Sequence, residues 1–261
     1  MSKKYFVVSD LHSYYNVTFT CLEEKGFDYH NPNHILIVCG DAFDRGDETS
    51  KMFDFLLSLQ EQDRLVYIKG NHDDLMLEML YEIKYFGLAH LSGHHLSNGT
   101  FKSFLHLCGN TKDIPSFKLA DKVEKKFRKL YNKMVDYYEL GDYIFVHGWL
   151  PVKLEREYIP DVCSIITKHK MIDDWRNGNW ESARWLNGFD CWYQGCVPKG
   201  KTVVCGHWDV SYAHEKFNNE PLETYTIFYG DGIIGLDACT AVNEVINVLV
   251  LEEEEICKKK N

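Results

Sequence analysis

The chain has 261 residues, of which 45% are hydrophobic and 14% aromatic, so it has enough apolar material for one large core. Its formal charge of −10 at pH 7 argues against a broad nucleic-acid interface, and no stretch approaches the roughly 20 continuous apolar residues of a membrane span. The N-terminal apolar run is too short for a signal peptide and lacks a small-residue cleavage site, so we expect a cytoplasmic protein.

The N-terminal half alternates strand and helix patterns. In chain order, the predicted elements are a strand at 5–8, a helix at 16–25, a strand at 34–39, a helix at 50–59, a strand at 65–68 and a helix beginning at Asp73. Asp73 and Asp74 are carboxylates of the kind that favour a helix N-terminus. Strands that alternate with helices indicate βαβ units and a largely parallel sheet, which is an α/β fold.

Residues 86–140 break this alternation and predict a mainly helical insertion. Within it, apolar residues recur at steps of three and four, at Leu119, Val123, Phe127, Leu130 and Met134. The opposite side, called here the basic face, consists of Lys122, Lys125, Lys126, Arg128, Lys129 and Lys133. This face is either a solvated helix surface, which is the more common case, or a cap that attracts an anionic substrate or partner.

The second half is richer in predicted strands. The runs at 143–146 and 202–205 each lead into a histidine, and 233–237 and 245–251 are expected to be closing strands. The charged tail from residue 252 is expected to fray. The sequence contains no internal repeat and no low-complexity linker, so we expect a single domain over residues 1–261.

Five predicted strands end in short polar motifs. These motifs are SDLHS at 9–13, GDAFDRG at 40–46, GNHD at 70–73, HG at 147–148 and GH at 206–207. Because ligands of open α/β sheets bind at the carboxyl ends of strands, five such motifs would converge on one site. Aspartate, histidine and asparagine form a mixed oxygen and nitrogen ligand set that suits divalent manganese, iron or zinc. Each motif alone is weak, but the five together predict a metal centre.

In this order the motifs resemble the calcineurin-like metallophosphoesterases, specifically the phosphoprotein-phosphatase branch, which also includes bacterial and phage phosphatases and symmetrical diadenosine tetraphosphate hydrolases. The family pattern is GDxHG, GDxxDRG, GNHE, HG and GH, and the resemblance extends over about residues 4–251. The departures are Ser9 and Ser13 for two glycines, Asp73 for glutamate, and Trp208 after the last histidine. The resemblance implies a sandwich of two mixed β-sheets flanked by helices, with the helical insertion at about 86–140.

The resemblance also implies a role for each motif residue. The first metal would be held by Asp10, His12 and Asp41, and the second by Asp41, Asn71, His147 and His207. Two divalent ions are expected, with manganese first and iron or zinc as alternatives. Such a pair, roughly 3.5–4 Å apart, activates a water and flanks an in-line displacement.

The remaining implied roles concern proton transfer and phosphate binding. His72 would protonate the leaving oxygen, and Asp44 would orient the His72 ring. Arg45 would clamp the phosphate oxygens. A second phosphate-binding arginine is common between the two late histidines of the family, and Arg184 is a better match for it than Arg176.

The predicted function is therefore hydrolysis of phosphate monoesters, in the manner of a protein Ser/Thr phosphatase. The main alternative is a symmetrical dinucleoside tetraphosphate hydrolase, which uses the same motifs, and a nuclease is disfavoured by the acidic charge. A metal-stabilised binding module would be expected to lack His72, Asp44 or Arg45. The expected partner is a phosphorylated protein or nucleotide, without stable nucleic-acid or membrane binding. Substrate specificity should come from the insertion and from loops around Trp175, Trp180 and Trp185.

Two weaker patterns were weighed against these motifs. Residues 195–202 fit the P-loop expression GxxxxGK[ST], but the sequence that follows is strand-like rather than helical, so we expect a turn that leads into the strand before His207. Among the nine cysteines, Cys191 and Cys196 form the only close pair, and two free thiols are favoured there over a disulfide or a zinc site.

Overall fold

The computed structural model describes residues 2–109, 115–159 and 164–258, and within them the chain forms eleven strands and eleven α-helices. The strands are β1 (Lys4–Val8), β2 (His34–Cys39), β3 (Leu65–Ile68), β4 (Tyr138–Leu140), β5 (Tyr143–Phe145), β6 (Val152–Ile159), β7 (Ser164–Met171), β8 (Thr202–Cys205), β9 (Phe228–Gly230), β10 (Ile233–Gly235) and β11 (Leu249–Glu252). The helices are α1 (Tyr15–Glu24), α2 (Thr49–Glu61), α3 (Asn71–Tyr85), α4 (Gly93–Ser97), α5 (Thr100–Leu107), α6 (Phe117–Tyr131), α7 (Trp180–Ala183), α8 (Gly188–Tyr193), α9 (Val210–Ala213), α10 (Thr240–Asn243) and α11 (Glu253–Lys258).

Two mixed sheets contain nine of these strands. The first sheet has the order β11-β1-β2-β3, in which β1, β2 and β3 are parallel and β11 is antiparallel to β1. The second has the order β4-β5-β8-β10-β9, with parallel β5, β8 and β10 and an antiparallel strand at each edge. The crossovers through α1 and α2 make the first three strands parallel, as the sequence predicts. Antiparallel edge strands make both sheets mixed.

The two sheets pack face to face, and helices cover their outer faces. Residues of β1 alternate between the two sides: Tyr5 and Val7 join an apolar cluster between the sheets, whereas Phe6 and Val8 join a cluster with the helices. Buried residues of α1, α2, α3, α5 and α6 complete that outer cluster. A third cluster packs α7, α8 and α9 against the second sheet. The predicted sandwich of two mixed sheets flanked by helices is confirmed.

The insertion is helical, as predicted, and β4 closes it. Helix α6 buries Ala120, Val123, Phe127 and Leu130 along one side. Part of its basic face is neutralised on the same helix, because Lys125 pairs with Asp121 (2.7 Å) and Arg128 pairs with Glu124 (2.6 Å). These pairs favour the solvated-surface interpretation of the basic face.

The hairpin of β6 and β7 is absent from the sequence predictions. Its eight-residue strands pair only with each other among the described residues, outside both large sheets. A hairpin of this kind needs no buried face, and Leu154 in it is exposed. The sequence VKLEREYI therefore lacks the apolar run by which the other strands were recognised. The last strand was also predicted too long, since β11 begins at Leu249 rather than residue 245.

Every helix within the described ranges is too short or too polar to cross a membrane.

Candidate metal centre and active site

The polar motifs meet where the carboxyl ends of the two sheets come together. Within the first sheet, the backbone N–H of His12 donates to the carbonyl of Asp41 (3.1 Å), which ties the turn after β1 to the turn after β2. Between the sheets, the N–H of His207 donates to Oδ2 of Asp10 (2.9 Å). The convergence predicted from the strand ends is therefore present.

Two glycines make this close approach possible. At Gly70, a Cβ atom would lie 1.9 Å from Oδ1 of Asp41. At Gly40, a Cβ would lie 2.4 Å from Nδ1 of His147, and the backbone has φ +82°. A side chain at either position would displace a carboxylate or an imidazole of the site.

The backbone of the site is left-handed at many positions that are not glycine. Seven residues of the motifs have positive φ, namely Asp10, His12, Ser13, Asp41, Asp44, Arg45 and His207. A left-handed residue with a Cβ costs energy that the surrounding structure must supply. Clusters of such residues are typical of functional sites, because the turn that they form directs neighbouring side chains to one point.

Two groups of potential metal ligands share one carboxylate. The first group is Asp10, His12 and Asp41, and the second is Asp41, His147 and His207. Within each group the ligand atoms lie within 4.8 Å of one another. The amide oxygen of Asn71 joins the second group, 2.8 Å from Nε2 of His147. All six residues predicted as metal ligands are thus brought together, with Asp41 at the junction.

The donor set fits divalent ions. Nδ1 of His12 donates to the carbonyl of Phe43 (3.0 Å), and Nδ1 of His147 donates to the carbonyl of Cys39 (2.9 Å). These bonds fix each ring and leave Nε2 as the nitrogen that would coordinate a metal. Nε2 of His147 is 3.3 Å from Oδ2 of Asp41, and two ligands each about 2.1 Å from a shared ion lie about 3.0–3.4 Å apart.

The charges at the centre are mutually dependent. Burial raises the pKa of Asp10. Burial also acts to raise the pKa of Asp41, but His147 and His72 outweigh it and hold that pKa well below its usual range. For His147, burial lowers the pKa and Asp41 outweighs this effect, so the pKa rises to about 10. Buried carboxylates in such proximity need positive charge nearby, which a divalent cation supplies.

The predicted acid pair is also formed. Nδ1 of His72 donates to Oδ2 of Asp44 (2.7 Å), and both side chains are buried. Nε2 of His72 lies 3.4 Å from Nη2 of Arg45 and 3.9 Å from Oδ2 of Asp41. Burial acts to lower the pKa of His72, but Asp41 and Asp44 outweigh it and raise that pKa. The imidazole is therefore oriented by one carboxylate and faces the metal ligands with its other nitrogen.

Helix α5 of the insertion supports the His72–Asp44 pair. The sequence did not predict this contribution of α5. The hydroxyl of Thr100 donates to Oδ2 of Asp44 (2.7 Å), and the N–H of Asp44 donates to the hydroxyl of Ser103 (2.9 Å). Gly99 comes so close that a Cβ there would lie 2.4 Å from the backbone nitrogen of Arg45. A Gly-Thr pair is too common to signal this role, because only the tertiary fold brings residue 100 to residue 44.

The two candidate arginine clamps differ in their surroundings. Arg184 is 7% exposed, and its terminal nitrogens donate to the carboxylates of Asp74 and Asp136. Arg176 is half-exposed, donates to Glu139 (2.8 Å) and lies over the ring of Trp175. Both guanidinium groups are committed to protein carboxylates, so a phosphate role for either remains a prediction.

Only one of the three tryptophans singled out from sequence presents its ring at the centre. Trp185 is 52% exposed and meets the His207 ring edge to face, with the ring centroids 6.0 Å apart. Trp175 and Trp180 are buried instead and pack against Tyr137. Trp185 is therefore the one of the three whose exposed ring borders the predicted metal ligands.

Asp73, which stands where the family has glutamate, lies in the first turn of helix α3, which begins at Asn71 rather than at Asp73 as predicted. Its carboxylate accepts the N–H of Gly70 (2.8 Å) and the hydroxyl of Tyr67 (2.8 Å). Burial, reinforced by the nearby Asp41 carboxylate, raises the pKa of Asp73 to about 7. Asp73 is therefore the third residue of the helix that carries Asn71 and His72, and its carboxylate satisfies the backbone N–H of the N-cap residue, Gly70.

The P-loop-like stretch and the close cysteine pair both have the non-functional structure that the sequence favoured. Residues 195–201 form a turn that leads into β8, and Nζ of Lys201 donates to the carbonyl of Gly141 (2.8 Å). No helix follows to receive phosphate, since Thr202 begins a strand. Cys191 and Cys196 are both free and buried.

Comparison with known proteins agrees with this geometry. Residues 3–235 match the sequence model of the calcineurin-like phosphoesterases. Two curated relatives are the asymmetrical bis(5'-nucleosyl)-tetraphosphatases PrpE of Anoxybacillus flavithermus, 30% identical over 76 residues, and of Bacillus velezensis, 22% identical over 154 residues. The alignments cover 27% and 55% of this chain, and the chain spans 31% and 55% of the two relatives.

A solved structure shows the same fold at low sequence identity. The cold-active protein-tyrosine phosphatase of a psychrophilic Shewanella has a TM-score of 0.50 and 15% identity to this chain. The match covers 96% of this chain and 76% of that one. With the family match extending over most of its length, the chain belongs to the calcineurin-like phosphoesterase family.

Proposed function

We propose that the chain is a dinuclear-metal phosphoesterase of protein Ser/Thr phosphatase type, which hydrolyses phosphate monoesters. The observation that supports this most is that two ligand groups sharing Asp41 lie beside the His72–Asp44 pair and Arg45. A protein that only binds a metal has no need of an oriented acid and a cation at the same point. We further propose one catalytic domain that includes the insertion, and a cytoplasmic location, which the presence of seven free cysteines within the described ranges supports.

The proposed metal ligands are those on which the motifs converge. Asp10, His12 and Asp41 would hold the first ion, and Asp41, Asn71, His147 and His207 the second. Bound there, two divalent ions supply Lewis acidity, which activates water at neutral pH and offsets charge on the phosphoryl oxygens. Manganese is our first candidate, because mixed carboxylate, amide and imidazole ligands suit it, and iron or zinc would also be accepted.

His72 is the proposed general acid that protonates the leaving oxygen. Its Nδ1 proton is held by Asp44, so Nε2 is the nitrogen that exchanges a proton with substrate. The Asp44 carboxylate stabilises the positive ring before transfer and prevents it from rotating. The Arg45 guanidinium, 3.4 Å from Nε2, can donate to the phosphoryl oxygens next to the same leaving group.

A dinucleoside tetraphosphate is the second candidate substrate, and two observations favour it. The curated relatives are both described as asymmetrical bis(5'-nucleosyl)-tetraphosphatases. The exposed Trp185 ring beside His207 offers a surface on which a nucleobase can stack. The sequence motifs suggested the symmetrical reaction, whereas the relatives carry out the asymmetrical one. The products distinguish them, since two molecules of ADP result from symmetrical cleavage and ATP with AMP from asymmetrical cleavage.

The substrate is tested by steady-state rates of the metal-depleted protein with manganese, iron or zinc added. The substrates are a phosphoserine peptide, p-nitrophenyl phosphate and diadenosine tetraphosphate. We expect the highest kcat/KM for the phosphopeptide. A clear preference for the dinucleotide would replace the first candidate by the second. If no substrate is hydrolysed with any metal, both enzymatic candidates are excluded, and a metal-stabilised binding module is the remaining hypothesis.

The acid is tested by His72→Ala, with His30→Ala as a control because His30 is an exposed histidine elsewhere. We expect kcat of the His72 variant to fall by about 10²–10⁴ for a poor leaving group, while metal content stays nearly unchanged. The loss should be much smaller for p-nitrophenyl phosphate, because nitrophenolate departs without a proton. Equal losses for good and poor leaving groups would make His72 a structural residue.

A further inference from the structure

A third group of potential metal ligands lies in the insertion, apart from the dinuclear centre. It consists of Glu78 on α3 and the adjacent His94 and His95 on α4, with ligand atoms within 4.8 Å of one another. Glu82, one helical turn beyond Glu78, also faces α4, and its Oε2 is 3.5 Å from Nε2 of His95. Two histidines and a carboxylate are the ligand set of many zinc sites.

The buried imidazole of His95 lacks the partners that such a group normally has. His95 is 0% exposed, yet within the described ranges neither ring nitrogen makes a hydrogen bond of normal length, since the Glu82 carboxylate is 3.5 Å from Nε2. A buried polar group without a close partner is rare and destabilises the fold. Burial lowers the pKa of His95, which favours the neutral ring that binds metals. The unused nitrogens therefore point to a ligand.

The surrounding residues are arranged as they are around known metal ligands. The hydroxyl of Ser92 bonds Nδ1 of His94 (2.7 Å), so that Nε2 of His94, which is buried and has no hydrogen bond among the described residues, is the free nitrogen. The N–H of Ser92 donates to Oε2 of Glu82 (2.8 Å). Such bonds to the far side of a ligand hold its coordinating atom in place.

The distances between the histidine nitrogens and the glutamate oxygens are those of two ligands on one ion rather than of direct hydrogen bonds. Nε2 of His94 is 3.8 Å from Oε2 of Glu78, and the corresponding distance from His95 to Glu82 is 3.5 Å. Both are longer than a hydrogen bond of about 2.7–2.9 Å between charged groups. Ligands about 2.0–2.2 Å from a tetrahedral zinc ion are separated by about 3.3–3.6 Å. Small side-chain movements would therefore complete a site.

We propose that Glu78, His94 and His95 bind one divalent ion of the zinc type, with Glu82 or water as the fourth ligand. The ion would join α4 to α3, and this proposal does not depend on the proposed function. Helix α5 begins three residues after α4, and Thr100 at its start bonds Asp44. A metal in the insertion would thus hold the segment that supports the acid pair.

The test counts metal in a protein whose dinuclear centre is disabled. The Asp41→Ala, His207→Ala double variant is stripped with a chelator, dialysed against zinc, and measured by elemental analysis. We expect about one equivalent of zinc to remain bound. Adding His94→Gln and Glu78→Gln to this protein should remove it, whereas adding the control His90→Gln, an exposed histidine of the same insertion, should not.

Two further measurements keep the test decisive. Cobalt in place of zinc should give the intense visible absorption of a tetrahedral site in the double variant and lose it with His94→Gln. Hydrogen exchange of α4 should slow when zinc is added, and far-UV circular dichroism checks that each variant is folded. Zinc binding that is unaffected by His94→Gln with Glu78→Gln would overturn the proposal, as would a folded double variant that binds no zinc. In those cases the group is a set of histidine–glutamate ion pairs.

Discussion

The Thr100 hydroxyl offers a sensitive test of how the insertion serves catalysis. Thr100→Val keeps the shape of the side chain and removes the donor that bonds Oδ2 of Asp44 at 2.7 Å. In wild type that oxygen receives two donors, the Thr100 hydroxyl and Nδ1 of His72, while Oδ1 has no hydrogen-bond partner among the described residues. The substitution therefore removes one of the two side-chain bonds that hold the carboxylate behind the proposed acid.

The size of the effect follows from the strength of that bond. A hydrogen bond to a charged group contributes about 1.5–3 kcal/mol. If all of it served to hold the pair, the barrier would rise by the same amount, which is about 10- to 150-fold in kcat. Because Asp44 keeps its bond to His72 and its backbone bond to Ser103, we expect the lower end, about tenfold.

The assay compares kcat for phenyl phosphate and p-nitrophenyl phosphate. If Thr100 acts through the acid, the loss should be about tenfold for the phenyl ester and small for the nitrophenyl ester. Thr100→Ser restores the hydroxyl and should recover most of the activity, which separates positioning from simple destabilisation. The reasoning is refuted if Thr100→Val is as active as wild type on phenyl phosphate, or if both esters lose the same factor.

The other predictions concern the metals, the phosphate and the substrate. Asp41→Asn should lower the metal occupancy of both sites of the proposed dinuclear centre, whereas Asn71→Ala should lower that of one site. Elemental analysis and anomalous diffraction measure the occupancies, and equal losses in the two variants would contradict a shared Asp41. Arg45→Ala should lower kcat/KM by about 10² for every substrate, because it binds the phosphoryl group common to all; a loss confined to one substrate would contradict this role. Trp185→Ala should lower kcat/KM for diadenosine tetraphosphate by about 10-fold or more and leave p-nitrophenyl phosphate unaffected; unchanged rates for the dinucleotide would exclude stacking. Replacing the lysines of the basic face by alanine should change rates less than about twofold at low salt, since part of that face is already paired; a salt-dependent loss for large anions would show that it attracts substrate.

The elements predicted most accurately are the strands whose bounds are visible in their own sequence, without contacts to distant residues. Strands β2, β3 and β8 have the predicted bounds, because each is an unbroken apolar run between polar residues. A strand buried on both faces requires such a run, and the chain direction then places the motif that follows at the carboxyl end. This is why the proposed metal ligands, which follow strands, could be predicted to lie together without a structure.

The features that escaped prediction depend on contacts between distant parts of the chain. Thr100 reaches Asp44 across 56 positions, and the Arg184 guanidinium reaches Asp74 across 110. The ligands of the proposed insertion site lie on two helices, so no motif of fixed local spacing indicates a metal site there. The β6–β7 hairpin was missed for a different reason, which is local. It lies outside the two large sheets, so its sequence lacks the apolar run that marks a buried strand.

The left-handed backbone at seven motif residues has a consequence for how this protein can change. At each of them glycine would relax the chain, by about 1–2 kcal/mol. At six of them it would also delete a proposed functional side chain, which is a metal ligand at Asp10, His12, Asp41 and His207 and a catalytic group at Asp44 and Arg45. Ser13 is the exception, since its φ of 62° is strained and its side chain bonds only the hydroxyl of Thr49 among the described contacts. Selection for thermal stability alone would thus erode the metal centre first, and Ser13 is the position where stability can increase without that loss.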